Sequence, residues 1–279
     1  MNRREKKKLA AAQAQRISQL KQDRKRILTN DSAFSQQEAY KTLRTNVNFA
    51  LADTEGCRVV MFTSAVQGEG KSLSALNLSI ALAQTDKKVL LIDCDLRRPK
   101  LARLLNLSAP AGLSNLLMDF NLLDVALITS EEHGIDLVLA GDIPPNPAEL
   151  LSSGRMQRLM EMLRKRYDYI ILDAPPIVPV VDAVAMSSLC DGILFLVHAG
   201  MSERGAVAYA IEQLAYAKAN VIGFVINGVK SDITTGHGKY RYRQYYRYGR
   251  YGRYSGYNYG RNFGKNGTIS EVTGESDKG

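Results

Sequence analysis

The stretch RVVMFTSAVQGEGKSLSALNLSI, residues 58–80, constrains this chain more than any other. Arg58 to Ser64 is a short run of β-branched and apolar residues, the pattern of a strand buried in a sheet. Ala65 to Ser72 is a loop, AVQGEGKS, and from Lys71 onward Leu73, Leu76, Leu78, Ile80 and Leu82 fall in a helix-forming context. Strand, glycine loop and helix in that order make a P-loop, whose backbone N–H groups turn toward phosphate oxygens while the helix adds its positive dipole end. The expected nucleotide-binding set is Gly68, Glu69, Gly70, Lys71, Ser72 and Leu73. Lys71 is expected to hold the β- and γ-phosphates of ATP, and the Ser72 hydroxyl to bind Mg²⁺. Ala65 stands where GxxxxGK[ST] begins with glycine, one small residue for another. A chance glycine turn is the competing reading, and two later stretches argue against it.

The first is KKVLLIDCDLRRP, residues 87–99. Val89 to Ile92 reads as a second buried strand that delivers Asp93 and Asp95 at its C-terminal end, followed by Arg97 and Arg98. Ligands sit at that end of parallel α/β sheets. Two carboxylates two positions apart can share work on one Mg²⁺ and one hydroxyl; ordinary helix capping or a surface ion pair is the bland alternative. The second is IILDAPP, residues 170–176, where an apolar strand closes on Asp173. A carboxylate there, downstream of a P-loop, has the Walker B pattern and holds Mg²⁺.

The rest of the chain supplies an alternating frame. Helices are expected over 35–51, 112–133, 154–166, 182–189 and 203–218, and further strands over 135–139, 192–197 and 221–226. Asn146, Pro147 and Glu149 carry helix-start chemistry. Asn227, at the mouth of the last strand, is a candidate adenine contact. The alternation predicts an α/β, P-loop NTPase-like fold with a mainly parallel sheet and helices on both faces.

Charge divides the 279 residues into a body and two arms. Residues 1–30 carry +8, residues 31–228 carry −5, and residues 229–265 carry +8. The domains expected are a basic arm over 1–34, a P-loop domain over 35–229 and a tail over 230–279. The arm reads as a solvated helix or as a basic surface for a membrane or partner. The tail holds nine of the fourteen tyrosines, at Tyr240, Tyr242, Tyr245, Tyr246, Tyr248, Tyr251, Tyr254, Tyr257 and Tyr259, interleaved with arginine and glycine. Almost no aliphatic residues accompany them, so this segment is expected to be disordered. Three cysteines, Cys57, Cys94 and Cys190, in or beside apolar runs point to a reducing cytoplasm. No run is long enough to span a bilayer.

Together, AVQGEGKS, LLIDCDLRRP, IILDAPP and the tyrosine-rich C-terminus resemble the bacterial tyrosine kinases of capsule and exopolysaccharide synthesis. IPPNPAELLSS and EAYKTLR look like stretches of that family too. The resemblance implies an ATP- and Mg²⁺-dependent protein-tyrosine kinase that phosphorylates the tail cluster and so regulates polysaccharide synthesis and export. It implies that Lys71, Asp93 and Asp95 are catalytic, with Asp93 activating the phenol, and that Ser72, Asp95 and Asp173 surround the metal. Which of Asp93 and Asp95 is the base stays open. It also implies a ring-like homo-oligomer, tail in neighbour, through Glu38, Lys41 and Arg44, with Lys41 where the family's E-x2-R-x2-R pattern has arginine. A transmembrane adaptor of the chain-length-determinant type would activate the enzyme at the inner face of the membrane, and a tyrosine phosphatase would oppose it.

Two other classes remain. A partitioning or positioning ATPase without kinase activity would usually place a lysine at position 66 of its loop, where this chain has Val66. A nucleic-acid-binding module would use the Tyr/Arg tail, since both side chains stack on bases; no specific nucleic acid is expected.

Overall fold

A computed structural model describes residues 18–229. Residues 1–17 and the tail with its nine tyrosines lie outside the described residues, so the expectations placed on them are not tested by the fold.

Seven strands form one sheet in the order β3-β4-β2-β5-β1-β6-β7. They are β1 (Arg58–Ser64), β2 (Val89–Asp93), β3 (Leu127–Ser130), β4 (Ile135–Val138), β5 (Tyr169–Asp173), β6 (Gly192–His198) and β7 (Val221–Asn227). All neighbours pair in parallel except β3 and β4. The central strands β1, β2 and β5 read as unbroken apolar runs because both faces are covered. Val60, Phe62, Leu91 and Ile171 pack on one side with the P-loop helix. Val59, Met61, Leu90, Ile92 and Ile170 pack on the other.

Residues 18–24 are helical (α1), and the helices that follow are α2 (Phe34–Ala50), α3 (Lys71–Ala83), α4 (Leu101–Leu105), α5 (Leu113–Met118), α6 (Leu123–Ala126), α7 (Pro147–Leu151), α8 (Gly154–Arg164), α9 (Asp182–Ala185) and α10 (Arg204–Tyr216). The P-loop helix α3 is buried along most of its length. In α8, by contrast, only Met156, Leu159, Met160 and Leu163 face inward, at helical spacing.

Three sequence readings change. The helix expected over 112–133 is broken into α5, a 3₁₀ turn at Phe120–Leu122 and α6. Its last part is the edge strand β3, turned back through residues 131–134 to pair antiparallel with β4. A free edge of β4 decides that outcome, since Leu127-Ile128-Thr129 is compatible with either state. The expected helix over 182–189 is one turn, α9, followed by a 3₁₀ turn. At the start of α7, Asn146 occupies the capping position and Pro147 the first helical one, but the Asn146 amide bonds Glu149 (2.6 Å) and caps no backbone N–H.

Tyr169 ties α2 to the sheet. Its ring is buried, its hydroxyl donates to Asn48 Oδ1 (2.7 Å), and it accepts from the Arg58 guanidinium (2.9 Å). Tyr169→Phe removes both bonds, to exposed Asn48 and half-buried Arg58, and is expected to cost about 0.5–1.5 kcal/mol. A urea titration checks this, with a lower midpoint at unchanged slope.

Candidate active site

The sheet's register assembles the site. Asp93 of β2 and Asp173 of β5 are direct register partners, and Phe62 of β1, three residues before the glycine loop begins, lies beside Asp173. Three strands thus bring the P-loop and two carboxylates to one end of the sheet. Both carboxylates are almost wholly buried.

The loop is shaped by two glycines with left-handed backbone, Gly68 (φ +88°) and Gly70 (φ +98°). Gly70 is the residue from which α3 starts. A Cβ on it would stand 2.5 Å from the Asn227 amide nitrogen, so the backbone there runs too close to β7 for a side chain. That amide donates to the Glu69 carbonyl (2.9 Å) and to Ser74 Oγ (3.2 Å). Glu69 itself points inward: its carboxylate accepts from the Val66 N–H (2.9 Å) and from the Ser202 hydroxyl. Ser202 in turn accepts from the His198 N–H (2.7 Å). Glu69, through Ser202 just after β6, and Asn227 at the end of β7 therefore hold the loop in shape from the C-terminal ends of two neighbouring parallel strands. Leu73 is partly buried one turn further along.

The catalytic candidates have distinct surroundings. Asp93 accepts from the backbone N–H groups of Asp95 (3.2 Å), Lys100 (3.1 Å) and Leu101 (3.1 Å). Burial pushes its pKa well up, Asp173 beside it adds to the rise, and the Leu101 N–H opposes it. Asp95 is less buried and accepts from the Arg98 N–H (3.0 Å). Asp173 is raised to about 6, by burial above all, against the pull of Lys71 and of the Ser72 hydroxyl beside it. Neither Asp173 oxygen has a hydrogen-bond partner. Lys71 is 8% exposed; burial lowers its pKa, and Asp173, Asp95 and Glu69 oppose that.

A hydrated divalent cation fits this donor set. Two unpartnered, buried carboxylate oxygens beside a serine hydroxyl are oxygen ligands of the kind Mg²⁺ takes. Ser72, Asp95 and Asp173 are the residues that would hold it.

The sequence did not single out Asp182. It is fully buried and accepts from Nε and Nη2 of the Arg97 guanidinium (2.8 and 3.0 Å), fixing the loop after β2 to α9. Eighty-five positions separate the two, and no spacing rule joins them. Beside this pair lies a cleft of about 460 Å³ lined by Val66, Gln67, Asp95, Arg98, Pro175 and Pro179. The three residues of the oligomer pattern lie on α2. Glu38 and Lys41 form an exposed ion pair (2.8 Å), and Arg44 donates to the Ala81 carbonyl at the end of α3.

Comparison with known proteins places these features in a family. A family profile described as AAA domain matches residues 57–214. The tyrosine-protein kinase YwqD of Bacillus subtilis (strain 168) is 41% identical over 203 residues, covering 73% of this chain and 85% of the relative. The tyrosine-protein kinase Etk of Escherichia coli (strain K12) is 33% identical over 211 residues, which is 76% of this chain but 29% of Etk. The solved kinase domain of E. coli ETK superposes with a TM-score of 0.68 at 34% identity, over 73% of this chain and 79% of that one. Cobyrinic acid a,c-diamide synthase from Mycobacterium smegmatis, solved with a bound ATP analogue and magnesium, shares the fold at 19% identity (TM-score 0.55).

Two predictions follow from this geometry. Gly70→Ala combines a left-handed strain of about 1–2 kcal/mol with displacement of Asn227. ATP affinity is expected to fall roughly tenfold or more, read by titration with a fluorescent analogue. For Asp173, the folded protein binds a proton between about pH 4 and pH 6 that the unfolded chain, with an ordinary carboxyl near 3.9, has released. Stability therefore falls as pH rises through that window and stays lower above it. Asp173→Asn is expected to raise the thermal midpoint at pH 8 in the absence of nucleotide and to flatten the change between pH 4 and pH 6.

Proposed function

The chain belongs to the bacterial tyrosine-protein kinases, and from that premise we propose that its own C-terminal tyrosines are its principal substrate. The enzyme transfers the γ-phosphoryl group of Mg-ATP to tyrosines among Tyr240–Tyr259, delivered by a neighbouring copy in a ring-like homo-oligomer. The observation that carries the reading is the in-register pair of Asp93 and Asp173 beside the P-loop lysine.

Each residue has a role in this reading. The P-loop N–H groups and Lys71 hold the phosphates, and Asn227 braces the loop while its amide oxygen faces the adenine. Ser72, Asp95 and Asp173 would hold Mg²⁺, which would neutralise charge on the phosphates. Asp93 takes the phenol proton. A carboxylate whose pKa is raised by burial is a stronger base toward a phenol of pKa near 10 than a solvated one. Asp93 also has the steadier position, with three backbone N–H groups on it, whereas Asp95 accepts one and would serve the metal. The cleft between the loop after β2 and the proline stretch receives the acceptor ring.

Phosphorylation changes the tail's charge. Each group adds about −1.5 to −2, so around five cancel the +8 of residues 229–265. A tail docked on the acidic body of a neighbour then loosens, and the oligomer comes apart. Glu38, Lys41 and Arg44 make the contact between copies. A membrane-spanning adaptor at the inner face of the membrane activates the kinase, a tyrosine phosphatase resets it, and the cycle regulates capsule or exopolysaccharide synthesis and export. No described helix is long and apolar enough to cross a membrane.

Purified wild type and Lys71→Met, incubated with labelled ATP, test the reading. Label is expected on tail tyrosines of the wild type and absent from the variant. Label in the variant, or wild-type label that is unaffected by phenylalanine at all nine tail tyrosines, sinks it.

A further inference from the structure

The N-terminal segment that composition marks as a basic arm is built into the site in its last third. Asp23, 7% exposed at its side chain, forms an ion pair with the Lys100 ammonium (2.7 Å) and accepts from the Gln19 amide (2.9 Å). Its neighbour Arg24 donates to the carbonyls of Arg103 (2.6 Å) and Leu104 (3.1 Å). These partners are the two ends of one short helix. Lys100 is the capping residue of α4, and Arg103 and Leu104 carry its last carbonyls. A second grip joins the segment to the P-loop helix. Asn77 of α3, fully buried, accepts from the Leu28 N–H (2.8 Å) and donates to the Arg26 carbonyl (2.9 Å). Leu28 itself lies in the core.

The five-residue α4 is what supplies two of the three N–H groups on Asp93, from Lys100 and Leu101. A helix that short has no stability of its own, since nucleation costs more than one turn returns. Its position is set by what holds its ends: the Asp93 carboxylate and Lys100 at the start, Arg24 at the finish. We propose that residues 18–32 form a strap that belongs to the catalytic apparatus, and that Asp23 and Arg24 are positioning residues that act on Asp93 through α4. The proposal rests on the reading of Asp93 as the base. The strap clamps α4 at both ends with adjacent residues of opposite charge and fastens the same segment to α3. It thereby fixes the distance between the element that carries Lys71 and the element that aims Asp93. Loss of the Asp23–Lys100 bond leaves the P-loop intact and lets the Asp93 carboxylate drift.

The test uses the full chain and three readouts: turnover of ATP into phosphotyrosine at saturating ATP, the Kd of a fluorescent ATP analogue, and circular dichroism at the assay temperature. Asp23→Asn and Lys100→Met are each expected to lower turnover roughly tenfold, the scale of a small misplacement of a reacting group, with Kd changed less than twofold. The double variant is expected to be no slower than the slower single, because the two changes break one contact. Asp23→Glu is expected to recover most of the rate. If Asp23→Asn is unfolded, Arg24→Lys decides, since it keeps the charge and loses the fork of donors; the same loss of turnover at unchanged Kd is expected. Wild-type turnover in these variants, additive losses, or Kd rising in step with the loss of rate overturns the strap. Asp93→Asn separates the two readings. Full activity there removes Asp93 as the base, whereas an inactive Asp93→Asn beside a fully active Asp23→Asn removes the strap alone.

Discussion

Two carboxylates facing each other across adjacent parallel strands, out of water, are the constraint around which this protein is arranged. Asp93 and Asp173 end β2 and β5 in register; burial makes both harder to ionise, Asp173 adds to this at Asp93, and Asp95 adds to it at Asp173. Leaving such a pair without compensation costs several kcal/mol. The surrounding groups supply compensation unequally. Asp93 has three backbone N–H groups, whereas Asp173 has the fields of Lys71 and Lys100 and a neighbouring hydroxyl. The asymmetry sorts the two chemically. The satisfied carboxylate holds a fixed position, as the base proposed above requires. The other keeps both oxygens without a hydrogen-bond partner, as the proposed cation site requires. The apolar central strands, covered on both faces, provide the stability that this arrangement withdraws.

The glycine loop meets a similar demand by different means. Its cradle has to keep shape without side chains filling it, so the bonds that shape it lie on its outer side. Glu69 binds Val66 and Ser202, and Asn227 binds the Glu69 carbonyl. The buried Glu69 carboxylate within this loop is engaged by the Val66 N–H and the Ser202 hydroxyl, and it supports the charge of Lys71. β6 and β7, which carry none of the reacting groups, matter because their C-terminal ends brace this loop.

A third layer ties these parts into one body. Arg97 and Asp182 fix the loop after β2 to α9, and the segment before α2 spans α3 and α4. The acidic globule thus borrows residues from a stretch whose net charge marks it as separate. Charge composition describes that stretch correctly as a surface, yet Asp23, Leu28 and the backbone around Arg26 are drawn inward by particular partners.

The sequence alone determined the strand-loop-helix of the nucleotide site, the carboxylates at the ends of β2 and β5, the mostly parallel alternating sheet and the kinase family. Each of these is encoded locally: glycines where the backbone must turn, an aspartate closing an apolar run, apolar runs at the period of their element. Tertiary structure decided what depends on pairs far apart in the chain. Residues 127–130 became a strand because β4 offered an edge. Asp182 met Arg97, Ser202 met Glu69, and Asp23 met Lys100 across separations of 85, 133 and 77 residues. Polar side chains of this kind have no period and no required neighbour in sequence; only the folded sheet and its covering helices bring their donors and acceptors within bonding distance.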